Sequence, residues 1–154
     1  MRNVFKKLIL MGVAVTLAGI AEAKTFRYAT TGDVLGLDPH ANNEGPTNTM
    51  KGNLYGRLLH RKADLSLEPD LATKWEKLDA TTWRFSLRQG VKFHNGNAFN
   101  ADDVVFSYNR QTQESSDMSF ALATVKEVRK VDDHTVDIIT KGPDPILLLN
   151  MPIF

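Results

Sequence analysis

The chain has 154 residues, of which 42% are hydrophobic and 24% are charged, and this composition is typical of a globular protein with enough apolar material for one core. It contains no cysteine, which excludes a disulfide framework, a thiolate metal site and a cysteine nucleophile. The formal net charge is +1, and residues 1–23 hold three of the 19 basic residues and one of the 18 acidic ones. The remainder has a net charge of −1, so the basic surface that nucleic-acid binding requires is not expected.

Residues 1–23 have the three-part pattern of a cleavable export signal. The segment begins with three basic residues, continues with an apolar run of thirteen (residues 8–20) and ends in Ala21-Glu22-Ala23, an A-x-A site. A membrane anchor is the alternative interpretation, but a run of thirteen is shorter than the roughly 20 residues that span a bilayer. The pattern therefore predicts cleavage before Lys24. Because no cysteine follows the run to accept a lipid, the mature chain, residues 24–154, is expected to be soluble in the periplasm.

Three elements are predicted in the next part of the chain. Apolar and polar side chains alternate over residues 25–30, which predicts a strand. The polar residues 42–46 predict an extended loop. Thr47 is then the predicted N-cap of a helix. The predicted buried face of this helix consists of Met50, Leu54 and Leu58.

Residues 83–110 carry the strongest local pattern. Trp83, Phe85 and Leu87 alternate with polar residues, which predicts a strand with these three facing the core and the neighbouring arginines on the opposite face. Turns are predicted at Gln89-Gly90 and Asn95-Gly96, on either side of a second short strand.

A helix is predicted to follow these turns, with Asn100 as its N-cap. Asp102 and Asp103 would lie in its first turn, where carboxylates interact favourably with the helix dipole. A pair of carboxylates for acid–base catalysis is the alternative interpretation of these two residues.

Two more segments are predicted on either side of this central stretch. Residues 65–75 predict a turn at Glu68-Pro69-Asp70 followed by a short helix, and residues 125–140 predict a β-hairpin that turns at Asp132-Asp133-His134. Trp75 and Trp83 are interpreted as core residues, with stacking against a ligand as the alternative. The four histidines are scattered without metal-ligand spacing, so no metal site is predicted.

Five segments follow one another in the chain: LDPH (37–40), NLYGRLL (53–59), PDLATKWE (69–76), LRQGVKFHNG (87–96) and FNADDVVFS (99–107). In these segments and their order the chain resembles the family 5 extracellular solute-binding proteins of ABC transporters, the oligopeptide, dipeptide and nickel binders. The resemblance covers nearly all of the chain after residue 24. Two turn residues depart from it, because Ala80 and Asn95 stand where the family commonly has glycine and aspartate.

The resemblance implies an α/β fold that is periplasmic binding protein type II-like. Residues 24–154 would form the N-terminal part of the first lobe, a mixed sheet with flanking helices and a hairpin, incomplete by itself. Members of the family have several hundred residues, and a distant C-terminal segment completes this lobe. The apolar end of the chain, at Ile153 and Phe154, leads to the same expectation of a truncated N-terminal fragment.

The resemblance also implies a function and a site. The protein would be the periplasmic substrate-binding component of an ABC importer, a monomer that binds a peptide-like or other small solute between two lobes and delivers it to the ABC permease complex at the inner membrane. Neither catalysis nor a cofactor is implied. The family's ligand-contacting segment corresponds here to Asn42, Asn43, Glu44, Gly45, Pro46 and Thr47.

Alternatives remain open for both the site and the function. An extended backbone at residues 42–47 would pair with a peptide as an added strand, whereas the alternative is a solvated surface loop. A secreted hydrolase is a second functional class, although the chain has no nucleophile elbow and no H-E-x-x-H motif. A periplasmic chaperone or sensor that uses the same fold is a third.

We predict that the exported protein begins at Lys24, because the positive, apolar and A-x-A parts of residues 1–23 occur in the order that signal peptidase recognises. Mass spectrometry of the protein recovered from the periplasm will identify its first residue. A soluble periplasmic protein that still carries Met1 would contradict this prediction.

Overall fold

The computed structural model describes Thr25, Arg27 and residues 29–152. The predicted export signal and its cleavage residues Ala21, Ala23 and Lys24 lie outside the described residues. The strand predicted over residues 25–30 is not formed at the four of these residues that are described. In the described part of the chain, no helix is both long enough and apolar enough to cross a membrane.

The helices and strands of the described residues belong to the compact unit that begins at Thr31. A short 3₁₀ turn, Ser119–Leu122, lies between the second helix and the last hairpin. In chain order, the elements are α1 (Gly45–Leu54), β1 (Leu59–Arg61), β2 (Leu67–Pro69), β3 (Ala72–Lys77), β4 (Thr82–Leu87), α2 (Ala101–Gln111), β5 (Val125–Asp132), β6 (Thr135–Thr140) and α3 (Leu147–Asn150).

The strands form two antiparallel sheets in the described residues. One sheet has the order β3-β4-β6-β5, and the other is the pair β1-β2. The predicted hairpin over residues 125–140 is confirmed as β5 and β6. A mixed sheet was expected, but β3–β4 and β5–β6 are each joined by a short turn, and short turns connect only antiparallel neighbours.

The core lies between one face of the four-stranded sheet and α2. Phe85 of β4 is opposite Val136 of β6, and neither side chain is exposed to solvent. Val104 and Tyr108 bring the apolar stripe of α2 onto this face. Because burial of one large apolar side chain contributes about 1.5 to 3 kcal/mol, these contacts supply much of the stability that holds the helix on the sheet.

The predicted N-terminus of α2 is confirmed. The Asn100 side chain accepts a hydrogen bond from the Asp102 backbone at 2.7 Å, and the Asp103 carboxylate accepts one from the Asn100 backbone at 2.9 Å. Together they form a capping box. Asp102 also pairs with Lys130 of β5 at 2.8 Å. Both carboxylates therefore have structural partners, as the helix-dipole interpretation expects.

The turns before α2 also agree with the sequence pattern. Gly90 and Gly96 have φ angles of 74° and 88°, in the left-handed region that glycine adopts without steric cost. The second short strand predicted between them is reduced to one isolated bridge, Lys92 with Ala98. Phe93, within the predicted strand, is 46% exposed.

The predictions for α1 and for the segment around Trp75 are wrong. The N-cap of α1 is Glu44, whose carboxylate accepts from the Thr47 backbone at 3.0 Å, and the buried side chains of α1 are Thr47 and Lys51. Trp75, expected in or beside a short helix, lies in β3 opposite Phe85. Pairing with β4 outweighs the weak local pattern there, because strand preference depends mainly on cross-strand packing.

The opposite face of the sheet is polar. Asp137 of β6 is 1% exposed, and its carboxylate accepts from Arg84 Nε at 2.8 Å and from Arg129 at 3.1 Å. Hydrogen bonding to Arg84 lowers the pKa of Asp137, with burial acting in the opposite direction. Arg84 therefore lies on the predicted face, but it also neutralises a buried charge.

We predict that Phe85→Ala lowers the free energy of unfolding by about 3 to 5 kcal/mol, because it removes a fully buried ring and leaves a cavity. Phe106→Ala is the matched control, since this ring is 68% exposed, and its cost should stay within about 0.5 kcal/mol. Urea unfolding, carried out in the longer protein that the sequence leads us to expect, measures both. Equal losses would mean that the orientation of β4 is misassigned.

Candidate functional site

The segment of residues 38–44, named here the 38–44 loop, is a compact turn. The Asp38 carboxylate accepts from the His40 backbone at 2.9 Å, and the Asp38 carbonyl accepts from the Ala41 backbone at 3.4 Å. Asn42 has a φ angle of 57°, a left-handed conformation that asparagine tolerates better than most residues. The loop therefore reverses the chain just before α1 begins.

The six residues predicted to contact a solute fall into two groups. The first three lie in the 38–44 loop, and the last three, residues 45–47, form the first turn of α1. The backbone at residues 45–47 is helical, so the expected pairing with a peptide as an added strand is not open to it. Asn43 and Gly45 are exposed, whereas Thr47 is fully buried, and its hydroxyl accepts from the Leu35 backbone at 3.0 Å. A role in solute contact stays a prediction for these six residues.

The 38–44 loop is attached to the end of α2 by charged groups. Arg110 donates to both carboxylate oxygens of Asp38, and its Nη1 atom lies 3.0 Å from His40 Nδ1. This bidentate geometry is the strongest form of an arginine–carboxylate contact. The Asp117 backbone donates to the His40 carbonyl at 3.0 Å, and the Asp117 carboxylate accepts from the Asn42 backbone at 2.7 Å.

The other side of the 38–44 loop is held by α1. Lys51 is fully buried, and its amine donates to the carbonyl groups of Ala41 and, at 3.3 Å, Asn42. Burial lowers the pKa of Lys51, while the carboxylates of Asp38, Glu44 and Asp117 oppose that shift. A buried ammonium group is costly unless it is hydrogen-bonded, so these carbonyl contacts are needed for the helix to pack here.

His40 is a buried part of this arrangement, with 6% exposure. Because a guanidinium group has only donors, Nδ1 of His40 must accept from Arg110, which requires a neutral imidazole with its proton on Nε2. Burial is the main reason that the pKa of His40 lies below its ordinary value, and the charge of Arg110 adds to the effect. The negative charge of Asp38 acts in the opposite direction and raises the pKa of His40.

A cavity of about 430 Å³ lies beside the 38–44 loop and falls within the size range of small-molecule sites, about 300 to 1,000 Å³. Pro39 and His40 contribute to its wall. Its lining is mostly apolar and comes from the end of α1, from residues 91–94 and from α2. Charged and polar residues also line it, among them Arg57, Lys92, His94 and Asp103. The cavity is suited to enclosing an apolar group next to charged or polar side chains.

The sequence pattern does not predict this cavity or the network around the loop. The ring of Phe93, in the predicted second strand, meets Phe99 edge-on with centroids 6.1 Å apart in the cavity wall. The motif HNG (94–96) marks the turn that brings these residues together, and that was the available signal. Among the described residues, no three His, Asp or Glu side chains are grouped so as to hold a metal ion.

Comparison with known proteins identifies the fold and the family. The family model described as bacterial extracellular solute-binding proteins, family 5 Middle, matches residues 66–154. The dipeptide-binding protein of Escherichia coli (strain K12) is 34% identical over 167 residues, covering 94% of this chain and 31% of that protein. Heme-binding protein A of Haemophilus influenzae is 34% identical over 161 residues, covering 90% of this chain and 29% of that protein.

A solved structure agrees with these sequence comparisons. The solute-binding protein MoaA from A. tumefacien R10, in complex with mannopinic acid, superposes with a TM-score of 0.71 at 34% identity and covers 79% of this chain and 27% of that one. The fold is therefore the α/β fold of type II periplasmic binding proteins, and this chain covers a part of that fold. The chain belongs to family 5 of the bacterial extracellular solute-binding proteins. It spans 29% to 31% of the length of the two curated relatives named above.

We predict that His40 makes stability depend on pH. The unfolded chain binds a proton at His40 near pH 6.5, whereas the folded chain binds it only at lower pH. The stabilisation that comes from neutral, buried His40 is therefore complete above pH 6.5. It is lost as the pH falls towards the pKa of His40 in the folded chain. Urea unfolding at a series of pH values should show that His40→Gln, which keeps an acceptor for Arg110, flattens this dependence.

His94→Gln is the control for the pH series, because His94 is exposed. It should keep the dependence of the wild-type protein below pH 6.5. If His40→Gln and the wild-type protein instead give parallel curves, the neutral buried state assigned to His40 is wrong.

Proposed function

We propose that this chain is the N-terminal part of a periplasmic substrate-binding component of an ABC importer. The whole protein would bind a peptide-like or other small solute between two lobes and deliver it to the ABC permease complex at the inner membrane. The observation that carries this proposal is family membership together with 34% identity, over 94% of the chain, to a protein named for dipeptide binding. The share of that relative's length, 31%, supports the proposal that only part of the first lobe is present.

The proposed location is the periplasm, reached through the signal at residues 1–23 and cleavage before Lys24. The order of charged, apolar and small residues in that segment supports export, as does the extracellular role in the family's description. The proposed receptor acts as a monomer, needs no cofactor and does no chemistry on its solute.

We also propose that residues 42–47 contact the solute. Asn43 and Gly45 are exposed there, and the loop beside them is held on both sides by Arg110 and Lys51. A loop that is already ordered loses little conformational entropy when a ligand binds, so its contacts contribute more to affinity. The Asn43 side chain would make one of these contacts, and pairing as an added strand is not part of the proposal because the backbone of residues 45–47 is helical.

The proposed mechanism is hinge closure. A solute that enters between the lobes exchanges its water contacts for contacts to both lobes, and these contacts favour the closed form. The permease would then recognise the closed form. The cavity beside the 38–44 loop has a mostly apolar lining with some charged and polar residues, and a peptide-like solute needs both kinds of surface.

We predict that the longer protein binds di- or tripeptides without cleaving them, and that Asn43→Ala weakens binding about tenfold by removing one polar contact. Asn53→Ala is the matched control, because Asn53 is exposed on α1 and its side chain donates to the Thr49 carbonyl of the same helix at 2.8 Å. Isothermal titration calorimetry over a peptide panel measures affinity, and chromatography of the bound solute detects cleavage.

Two outcomes of these experiments would contradict the proposed function. One is the appearance of cleaved peptide, which would indicate a hydrolase. The other is the absence of binding across the panel. The 154-residue chain alone is a further arm and should bind no peptide, because the proposed cleft lacks its second wall. Cooperative unfolding and micromolar affinity in this arm would mean that the chain is a complete binding domain.

A further inference from the structure

We propose that Lys51 is the positioning residue of the solute-contacting segment, and that its buried ammonium group holds the 38–44 loop in the conformation that presents Asn43. The effect on solute affinity rests on the proposed function, whereas the effect on the loop itself does not. The first observation is burial, since Lys51 has no exposed surface although it lies on α1, a surface helix with mostly polar residues.

Packing alone does not account for a lysine at this position. Methionine has a similar length and would fill the same space without removing a charge from water. Lysine is one of the side chains that are almost never fully buried unless they are paired. Here the amine donates to two consecutive carbonyl groups, those of Ala41 and Asn42, at the point where the loop turns.

The loop and the buried amine therefore depend on each other. If the carbonyl groups of Ala41 and Asn42 moved away, a buried cation would lose hydrogen bonds in a site where water does not reach it. Burial lowers the pKa of Lys51, and the negative charges of Asp38, Glu44 and Asp117 oppose that shift. The loop conformation with these carbonyl groups directed towards α1 is thus favoured over its alternatives.

Asn42 is the residue of the loop whose backbone conformation depends most directly on the Lys51 amine. Its left-handed backbone conformation is uncommon for a residue other than glycine, although asparagine tolerates it, so neighbouring contacts help to hold it. Its carbonyl accepts from Lys51, while its backbone N–H donates to Asp117 at 2.7 Å. Because both the backbone N–H and the backbone carbonyl of Asn42 are hydrogen-bonded, the direction of the backbone at the next residue, Asn43, is restricted.

The test is hydrogen–deuterium exchange of the longer protein carrying Lys51→Met. Exchange of the backbone amides of residues 40–44 should become at least tenfold faster, while exchange in the β5–β6 hairpin stays unchanged. Lys141→Met is the matched control, because Lys141 is exposed and donates to a single carbonyl outside the loop, that of Ala123, at 2.8 Å. It should leave residues 40–44 unaffected. Unchanged exchange in Lys51→Met would overturn the proposal.

A measurement on the wild-type protein covers the case in which Lys51→Met does not fold. Reductive methylation followed by tryptic mass spectrometry should modify Lys51 at least tenfold more slowly than the exposed Lys74. Equal rates would mean that the amine is not enclosed by the loop, and the proposal would be overturned.

Calorimetry with alanylalanine, or with the best peptide of the panel, connects the loop to the solute. Lys51→Met should weaken binding about tenfold and Lys141→Met should not. Faster exchange with unchanged affinity would overturn the positioning role, since the loop would then not serve the solute. If the wild-type protein binds no peptide at all, the proposed function fails instead, and the exchange data decide separately on Lys51 and the loop.

Discussion

The packing of Phe85 against Val136, in the middle of the four-stranded sheet, determines where the parts of the candidate site lie. Both side chains are fully buried, and α2 packs over the same face through Val104 and Tyr108. This packing fixes the end of α2, from which Arg110 reaches the 38–44 loop. The position of the loop thus depends on an apolar contact in a distant part of the sequence.

Buried charges in the described residues follow a common rule, although they serve different parts of the molecule. Asp137 on the polar face of the sheet is neutralised by two arginines, and Lys51 under the 38–44 loop is satisfied by backbone carbonyl groups. Removing one partner from such a contact costs more than the contact contributes, because the remaining charge stays out of water. Sites of this kind restrict a segment to one conformation, which is what a pre-organised binding loop requires.

The comparisons separate what is common to the family from what must differ within it. Relatives at the same 34% identity are named for binding dipeptides and heme, so the shared fold leaves the choice of solute open. In the described residues, the 38–44 loop and the adjacent cavity are the surfaces that the proposed site would use. Selection among solutes in the proposed receptor would therefore depend on such local surfaces together with those of the second lobe.

The sequence by itself determined the elements whose contacts are local. The strand at residues 83–87, the glycine turns at Gly90 and Gly96, the capping box at Asn100 and the β5–β6 hairpin all depend on side-chain alternation or on bonds between near neighbours in the chain. The family resemblance also pointed to the correct fold.

Only the tertiary structure decided the elements that depend on distant partners. The buried face of α1 is polar because Lys51 meets the loop, and β3 is a strand because it pairs with β4. The backbone N–H of Asn42 donates to the carboxylate of Asp117, 75 residues further along the chain. A periodic pattern reports which side chains share a face, but it carries no information on which remote group will satisfy a buried donor, and here those remote groups shape the candidate site.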